Sequence, residues 1–313
     1  VNNQKWDTKI PYIMKDFYDK EKYKKARNYA REKGRINLIS NTLNTLIIII
    51  FLIFKVYGWL DNIIFNYYNS PFLQSGIFFL SIFILSDLTS IPFSIYDNFV
   101  IEEKYGFNKM TLKTFFLDKF KSYLIILIFG GLILFGAVFL LSILENGFWI
   151  WIWIGLSIIM LFINMFYADI IIPLFNKLSP LEKGPLRDKI ESYSKKVGYS
   201  LKNIYIIDGS KRSSKANAFF SGLGPRKTIA LYDTLIDKHS DEELVSILAH
   251  EVGHYKKKHV ISSLILYVFQ IGLMSFLLEL CLEEPNISIA MGADNSIFHL
   301  GLFAFTILYI PIG

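Results

Sequence analysis

Leu46 to Phe54 reads Leu-Ile-Ile-Ile-Ile-Phe-Leu-Ile-Phe, and Tyr123 to Leu141 runs for nineteen residues without a charge. Stretches of this kind cannot stay in water, and in hydrocarbon a backbone satisfies its own N–H and C=O groups only as a helix or a closed barrel. About 20 apolar residues in a helix cross about 30 Å of hydrocarbon. Six stretches are candidates: 38–60, 73–95, 122–143, 148–170 and 260–281 meet that length, and 298–313 is cut off at Gly313. Composition agrees, with 53% hydrophobic and 19% charged residues, against about a quarter charged in soluble domains. The expected fold class is therefore mainly α, a polytopic bundle of transmembrane helices.

Charge sets the expected topology. Lys20, Lys22, Lys24, Lys25, Arg27, Arg31, Lys33 and Arg35 crowd the segment before the first span, and 96–121 and 171–258 hold most of the other cations. The stretches 58–71, 144–147 and 282–297 contain no Lys or Arg, only acids such as Asp61, Glu145, Glu283, Glu284 and Asp294. Lys55 is the exception on that side, near a span end where its ammonium can snorkel. The positive-inside rule then places 1–36, 96–121 and 171–258 in the cytoplasm. The net charge of +6 follows from this asymmetry, and no nucleic acid is needed to account for it. Residues 1–36 are too charged for a secretory signal peptide. The single Cys281 has no partner for a disulfide within the chain.

Residues 173–258, between the fourth and fifth spans, form the longest polar insertion. An amphipathic helix is expected near 185–197, ended by Gly198. Strand-like runs follow at Asn203–Ile207, Ala216–Phe220 and Thr228–Tyr232, with Gly222, Gly224 and Pro225 marking a turn. Ser240-Asp-Glu-Glu243 has the form of a capping box, opening a helix over 241–258.

That helix carries His250-Glu251-Val252-Gly253-His254. His250 and His254, one turn apart, project from the same face and can grip one Zn²⁺. Glu251, about 100° round from His250, can take a proton from a water that the metal polarises, the general-base part of peptide hydrolysis. A catalytic zinc takes three protein ligands and leaves one position open. His259 is nine residues from His250, about 180° round a continuous helix, and so is expected to face away. His239 and His299 lack a ligand spacing, and Glu279, Glu283 and Glu284 fall at the far end of a span.

Four blocks resemble the type I CAAX prenyl endopeptidases: Phe93–Asn108 (FSIYDNFVIEEKYGFN), Ile172–Glu182 (IPLFNKLSPLE), Ser210–Phe220 (SKRSSKANAFF) and Leu248–His259 (LAHEVGHYKKKH). They occur in that family's order and span nearly the whole chain. The resemblance implies a ring of seven transmembrane helices around a water-filled chamber. A small α+β zincin-like domain would be inserted between spans and present one zinc from the cytoplasmic side. Polar residues within spans, Asn41, Asn44, Asp87, Asn164 and Asp169, suit a hydrated wall. It also implies a third ligand, a Glu in a helix after the last span, expected beyond Gly313. Six spans against seven lead to the expectation that the protein extends past both Val1 and Gly313.

The resemblance further implies that Asn217 and Ala218 lie in a strand that pairs with substrate backbone by β-augmentation; a buried Asn holding a turn is the plainer reading. The expected organisation is a cytoplasmic N-terminal segment (1–36), transmembrane helices (37–172) with a cytoplasmic loop (96–121), a zinc peptidase domain (173–258), and transmembrane helices (259–313). The expected function is zinc-dependent cleavage near the C-terminus of a peptide, prenylated or not. Its setting would be the endoplasmic reticulum membrane in a eukaryote or the inner membrane in a bacterium. A broad-specificity quality-control metalloprotease and a non-catalytic lipopeptide-binding membrane protein remain open beside it.

Overall fold

The computed structural model describes residue 10 and residues 19–309 other than 145, 199–202 and 222–227; of 220, 221, 251, 254 and 255 it describes the backbone alone. The turn expected at Gly222, Gly224 and Pro225 lies outside the described residues. Two compact units divide the chain: 1–108 with 285–313, and 109–284. Both are mainly helical, and five helices are long and apolar enough to cross a membrane.

In the first unit, α1 (Lys20–Ile53) is one continuous helix of 34 residues, so the basic segment and the first apolar run share an axis. The run expected over 38–60 ends at Ile53. Lys55 adopts a left-handed conformation (φ 53°) and a second helix, α2 (Val56–Tyr67), sets off from it. The chain turns here because α2 docks backbone to backbone: Gly58 N–H donates to the Met291 carbonyl at 3.0 Å, and a Cβ at Gly58 would collide with the backbone of Gly292. α3 (Pro71–Tyr96) starts on a Ser70 cap and runs into a π-helical turn, Asp97–Glu102.

The second unit begins with α4 (Leu112–Ile143), capped by Thr111. α5 (Phe148–Phe166) also passes into a π-helical turn, Tyr167–Ile171, before the short α6 (Ile172–Phe175). The insertion then gives β1 (Leu178–Pro180), α7 (Pro185–Lys196), β2 (Asn203–Ile207), β3 (Ala218–Ser221), β4 (Thr228–Tyr232), α8 (Asp233–Ile236) and α9 (Asp241–Lys256). The four strands form one sheet in the order β1-β2-β4-β3. β2 and β4 are parallel, with Asn203 opposite Thr228 and Ile207 opposite Tyr232; β1 and β3 flank them antiparallel. The expected strands at 203–207 and 228–232 coincide with β2 and β4, whereas β1 has no counterpart in the sequence pattern.

α10 (His259–Glu283) packs along α5. Gly272 admits the Trp153 indole, whose Nε1–H donates to the Val268 carbonyl at 2.7 Å. Glu279, buried near the end of α10, accepts the Gly147 N–H at 2.6 Å. A carboxylate there compensates the exposed N–H groups at the start of α5.

The chain closes with α11 (Pro285–Ala290) and α12 (Phe298–Tyr309), which complete the first unit. α12 places the buried His299 between Asp61 of α2 and Ser75 of α3, with Nε2 2.7 Å from the Asp61 carboxylate and Nδ1 3.2 Å from the Ser75 hydroxyl. Tyr57, Ile64, Phe78, Met291, Leu300 and Ala304 form the apolar core around this polar knot. Gly58→Ala is expected to cost about 1–3 kcal/mol, the scale of overpacking a tight contact, and to lower the thermal transition of the detergent-solubilised protein. Gly130→Ala, which meets open space in α4, is the control.

Candidate metal centre and substrate strand

The capping box is formed as its sequence implies. Ser240 N–H donates to Glu243 at 3.0 Å, and Glu243 N–H donates to the Ser240 hydroxyl at 3.3 Å. That backbone hydrogen bond, followed by His239, holds the Glu243 carboxyl below the ordinary glutamate range. Lys189 of α7 bridges Asp241 at 3.1 Å and Glu242 at 2.7 Å, pulling the Glu242 carboxyl down as well. Both acids sit where the helix dipole favours negative charge.

From this cap α9 lays Leu244, Leu248 and Val252, each at most 2% exposed, along one face. Leu244 and Leu248 pack with Leu181, Ile190, Ile204, Ile229, Leu231 and Leu235 of the sheet and its helices. Taking Leu248 as the centre of that face, positions 250 and 254 fall about 200° and 240° round the helix. The buried stripe thus turns the two histidine positions away from the core. The backbone is helical without interruption from 241 to 256, so the spacing that a shared metal needs is present. The His250 side chain is exposed, and those of Glu251 and His254 lie outside the described residues. Among the described residues no group of three or more His, Cys, Asp and Glu is placed to hold a metal ion.

His259 does not lie on a continuous helix with His250, contrary to the expectation from helical phase. α9 stops at Lys256, Lys258 is left-handed (φ 56°), and His259 is the first residue of α10. The two helices do not share a phase, because three consecutive lysines and the left-handed residue end the first before the apolar span begins. Glu279 already serves the start of α5 and is accounted for structurally.

β3 lies at the edge of the sheet, bonded to β4 on one side. The expected run began at Ala216; the strand begins at Ala218. The Asn217 carbonyl accepts the Tyr232 N–H at 3.0 Å, which continues the ladder one residue past the strand. By antiparallel alternation the next residue, Ala218, turns its N–H outward. That N–H is taken by the Asn217 side-chain oxygen at 2.9 Å. Asn217 is exposed, so the reading of a buried Asn is corrected: its side chain covers the strand edge. Ala218 packs on the same core as Leu244 and Leu248, which places the edge strand and the motif helix on one hydrophobic foundation.

Sequence reasoning missed how the loop entering β3 is held. Arg212 forks onto Asp118 of α4 at 2.7 and 2.9 Å and donates to the Phe175 carbonyl at 2.6 Å. The bonds to Asp118 hold its guanidinium pKa above the ordinary arginine value against the opposing effect of burial. Asp233 accepts from Ser210 and from the Thr234 N–H at 2.7 Å. Asp208 accepts from Asn176 at 3.1 Å and from the Lys177 N–H at 2.8 Å. The blocks 172–182 and 210–220 therefore touch. The run Ser210-Lys211-Arg212-Ser213-Ser214-Lys215 has the composition of a solvated basic loop, so no local signal set Arg212 apart.

Comparison with known proteins divides the chain near residue 178. Residues 2–177 match the family profile described as CAAX prenyl protease N-terminal, five membrane helices. Residues 180–309 match the profile of peptidase family M48. The chain belongs to peptidase family M48. Similar M48 relatives include CAAX prenyl protease 1 of Saccharomyces cerevisiae, 34% identical over 83% of this chain and 60% of its own length. The CAAX prenyl protease 1 homolog of Dictyostelium discoideum is 33% identical over 97% of this chain and 74% of its own. The crystal structure of S. mikatae Ste24p superposes with a TM-score of 0.92 at 31% identity, covering 99% of this chain and 77% of that one. The chain thus spans less than two thirds of the yeast relative and about three quarters of the Dictyostelium one. Membership of this metallopeptidase family implies a metal cofactor and, with the five membrane-length helices, a multi-pass membrane protein.

Ser240→Ala is expected to speed hydrogen exchange at the amides of the first turn of α9, by an amount matching the loss of a cap, about 0.5–2 kcal/mol. Exchange at Leu248 and Val252 is expected to change less. Because the Glu242 and Glu243 pKa values are depressed, their support of this helix start is complete above the ordinary glutamate range. It is lost as pH falls through the depressed values.

Proposed function

We propose that this protein is a membrane zinc endopeptidase that cuts near the C-terminus of a prenylated peptide, with its site on the cytoplasmic side. The observation that carries the reading is His250-Glu251-Val252-Gly253-His254 on an unbroken, capped helix whose buried stripe turns both histidine positions off the core. It lies within the segment that matches family M48. Relatives named CAAX prenyl protease, from yeast to Dictyostelium, support the prenylated substrate and a eukaryotic endoplasmic reticulum setting. The cation asymmetry across the spans supports the cytoplasmic side.

His250 and His254 would hold the zinc as two of its protein ligands. When bound, zinc supplies a Lewis acid that polarises the scissile carbonyl and makes water acidic enough to attack near neutral pH. Glu251 takes one proton from the attacking water. The water oxygen adds to the carbonyl carbon, the C–N bond breaks, and Glu251 returns the proton to the leaving amine. The outer edge of β3 lines the substrate up by strand addition. For that pairing the Ala218 N–H must leave the Asn217 oxygen, so Asn217 keeps the donor covered until a peptide replaces it. The water-filled chamber implied by the resemblance suits a lipidated peptide, whose polar end needs water near an apolar wall.

Glu251→Gln in the complete protein is expected to keep its zinc, measured by atomic emission, and to lose cleavage by at least about 10²-fold, the lower end of general-base contributions. Retained cleavage in that variant overturns the assignment. Paired peptides with and without the prenyl group then separate a prenyl-directed enzyme from a broad-specificity one: equal turnover of both refutes the prenyl reading.

A further inference from the structure

The basic part of α1 presents two faces. One face meets the segment after α3. Lys33 bridges Asp97 at 2.7 Å and Glu102 at 2.9 Å, Glu32 bridges Lys104 at 2.6 Å, and Tyr29 donates to Glu102 at 2.6 Å. At about 100° per residue, Lys20, Lys24, Arg27, Arg31 and Arg35 fall within about 80° of one another on the opposite face. They form a cationic stripe about 22 Å long at 1.5 Å per residue. Lys20, Lys24, Arg31 and Arg35 are exposed and Arg27 is half-buried. Among the described residues none of the five bridges an acid, and the Arg27 Nε is buried without a partner.

The same face changes character at Leu38. Continuing along it come Leu38, Leu46, Ile49 and Ile53, which are 68%, 49%, 45% and 68% exposed, with the exposed Thr42 and Thr45 between the first two. On a helix long and apolar enough to span a membrane, an uncovered apolar stripe is a lipid-facing one. Arg35 and Arg31 stand three and seven residues before Leu38, roughly 5 and 10 Å along the axis, at headgroup depth. Arg27 is about 16 Å away, with a side chain that can reach back toward the boundary. Of the eight cations of α1, Lys33 on the inner face is paired twice and Lys22 and Lys25 lie on that side too, while five line up along the outer face, with Arg27, Arg31 and Arg35 leading to the hydrocarbon edge.

The geometry points to a binding surface for anionic phospholipid headgroups along the outer face of α1, in the cytoplasmic leaflet under the topology proposed above. The occupant is a lipid because the cations continue an apolar lipid-facing stripe, so one molecule can place its acyl chains on Leu38 to Ile53 and its phosphate at Arg31 and Arg35. An acidic protein segment satisfies the charges alone. Each surface cation strengthens attraction to an anionic surface by about fivefold.

The test uses the full protein in nanodiscs of phosphatidylcholine with one fifth phosphatidylserine. Lipid retained after detergent extraction is counted by native mass spectrometry. Wild type is expected to retain phosphatidylserine over phosphatidylcholine by about tenfold or more. R27Q/R31Q/R35Q is expected to fall to the bulk ratio and R27K/R31K/R35K to keep the preference, since charge and not a fixed fork is required. K183Q/K195Q/K196Q, which removes three exposed cations around α7, is expected to leave it unchanged. Both leaflets carry the same lipid, so the outcome does not depend on the proposed sidedness or on peptidase activity. A wild-type ratio equal to bulk overturns the proposal, as does equal loss in the α7 control. Displacement by soluble glycerophosphoserine at the lipid's concentration also overturns it, in favour of a free-anion site.

Discussion

Everything in the peptidase portion depends on one buried stripe. Leu244, Leu248 and Val252 fix the rotation of α9 about its own axis, and the first two do so by packing into the sheet core. Burial of each such side chain contributes roughly 1.5–3 kcal/mol. Rotation matters more here than stability. A helix whose apolar stripe were shifted by one residue would turn by about 100° and carry the histidine positions toward the core. Because Ala218 of the edge strand rests on the same cluster, strand and helix are indexed to one reference.

Much of this was legible in the residues. The Ser240–Glu243 spacing specifies a reciprocal cap, and the cap formed. Asn203–Ile207 and Thr228–Tyr232 are β-branched or aromatic runs, and both became central strands in register. Long apolar runs announced the membrane helices because hydrocarbon leaves a backbone few choices. Where the sequence was silent, nonlocal contacts decide. β1 has three residues and ends in Pro180, too short for a periodic signal, and exists because β2 offers it an edge. The first apolar run breaks at Lys55 because Gly58 meets Gly292, far away in the sequence. The end of α9 at Lys256 reflects a left-handed Lys258, a conformation that composition does not encode. Of the His250-to-His254 motif, the helix and its spacing were legible in the residues, and the structure adds which way the two histidine positions face.

Polar groups inside the apolar units show how expensive atoms are retained. Asp61, Ser75 and His299 satisfy one another, and Glu279 meets a helix-start N–H. Each removes a group that would otherwise sit unpaired in low dielectric. Among the intramembrane polar residues, Asn164 bonds the Met160 carbonyl of its own helix, and Asp169 falls in the π-helical turn after α5. π-helical turns are local departures from regular helix and concentrate where function needs an altered side-chain direction. Among the described residues there are two, one in each unit.

The Asp61–His299 contact also has a temporal side. Its partners are 238 residues apart, and Ser75 and His299 are 224 apart. The unit that contains them is split in sequence around the whole of 109–284. A ribosome delivers α2 and α3 first and α12 only after the whole of 109–284, so Asp61 and Ser75 reach the bilayer long before the imidazole that will satisfy them. At 5–20 residues per second, that interval is roughly 10 to 50 seconds. The contiguous unit can assemble in the meantime, while the interrupted one must hold a carboxyl group and a hydroxyl without their final partner. The nascent first unit is thus the stage of this protein's life most dependent on protection from its surroundings.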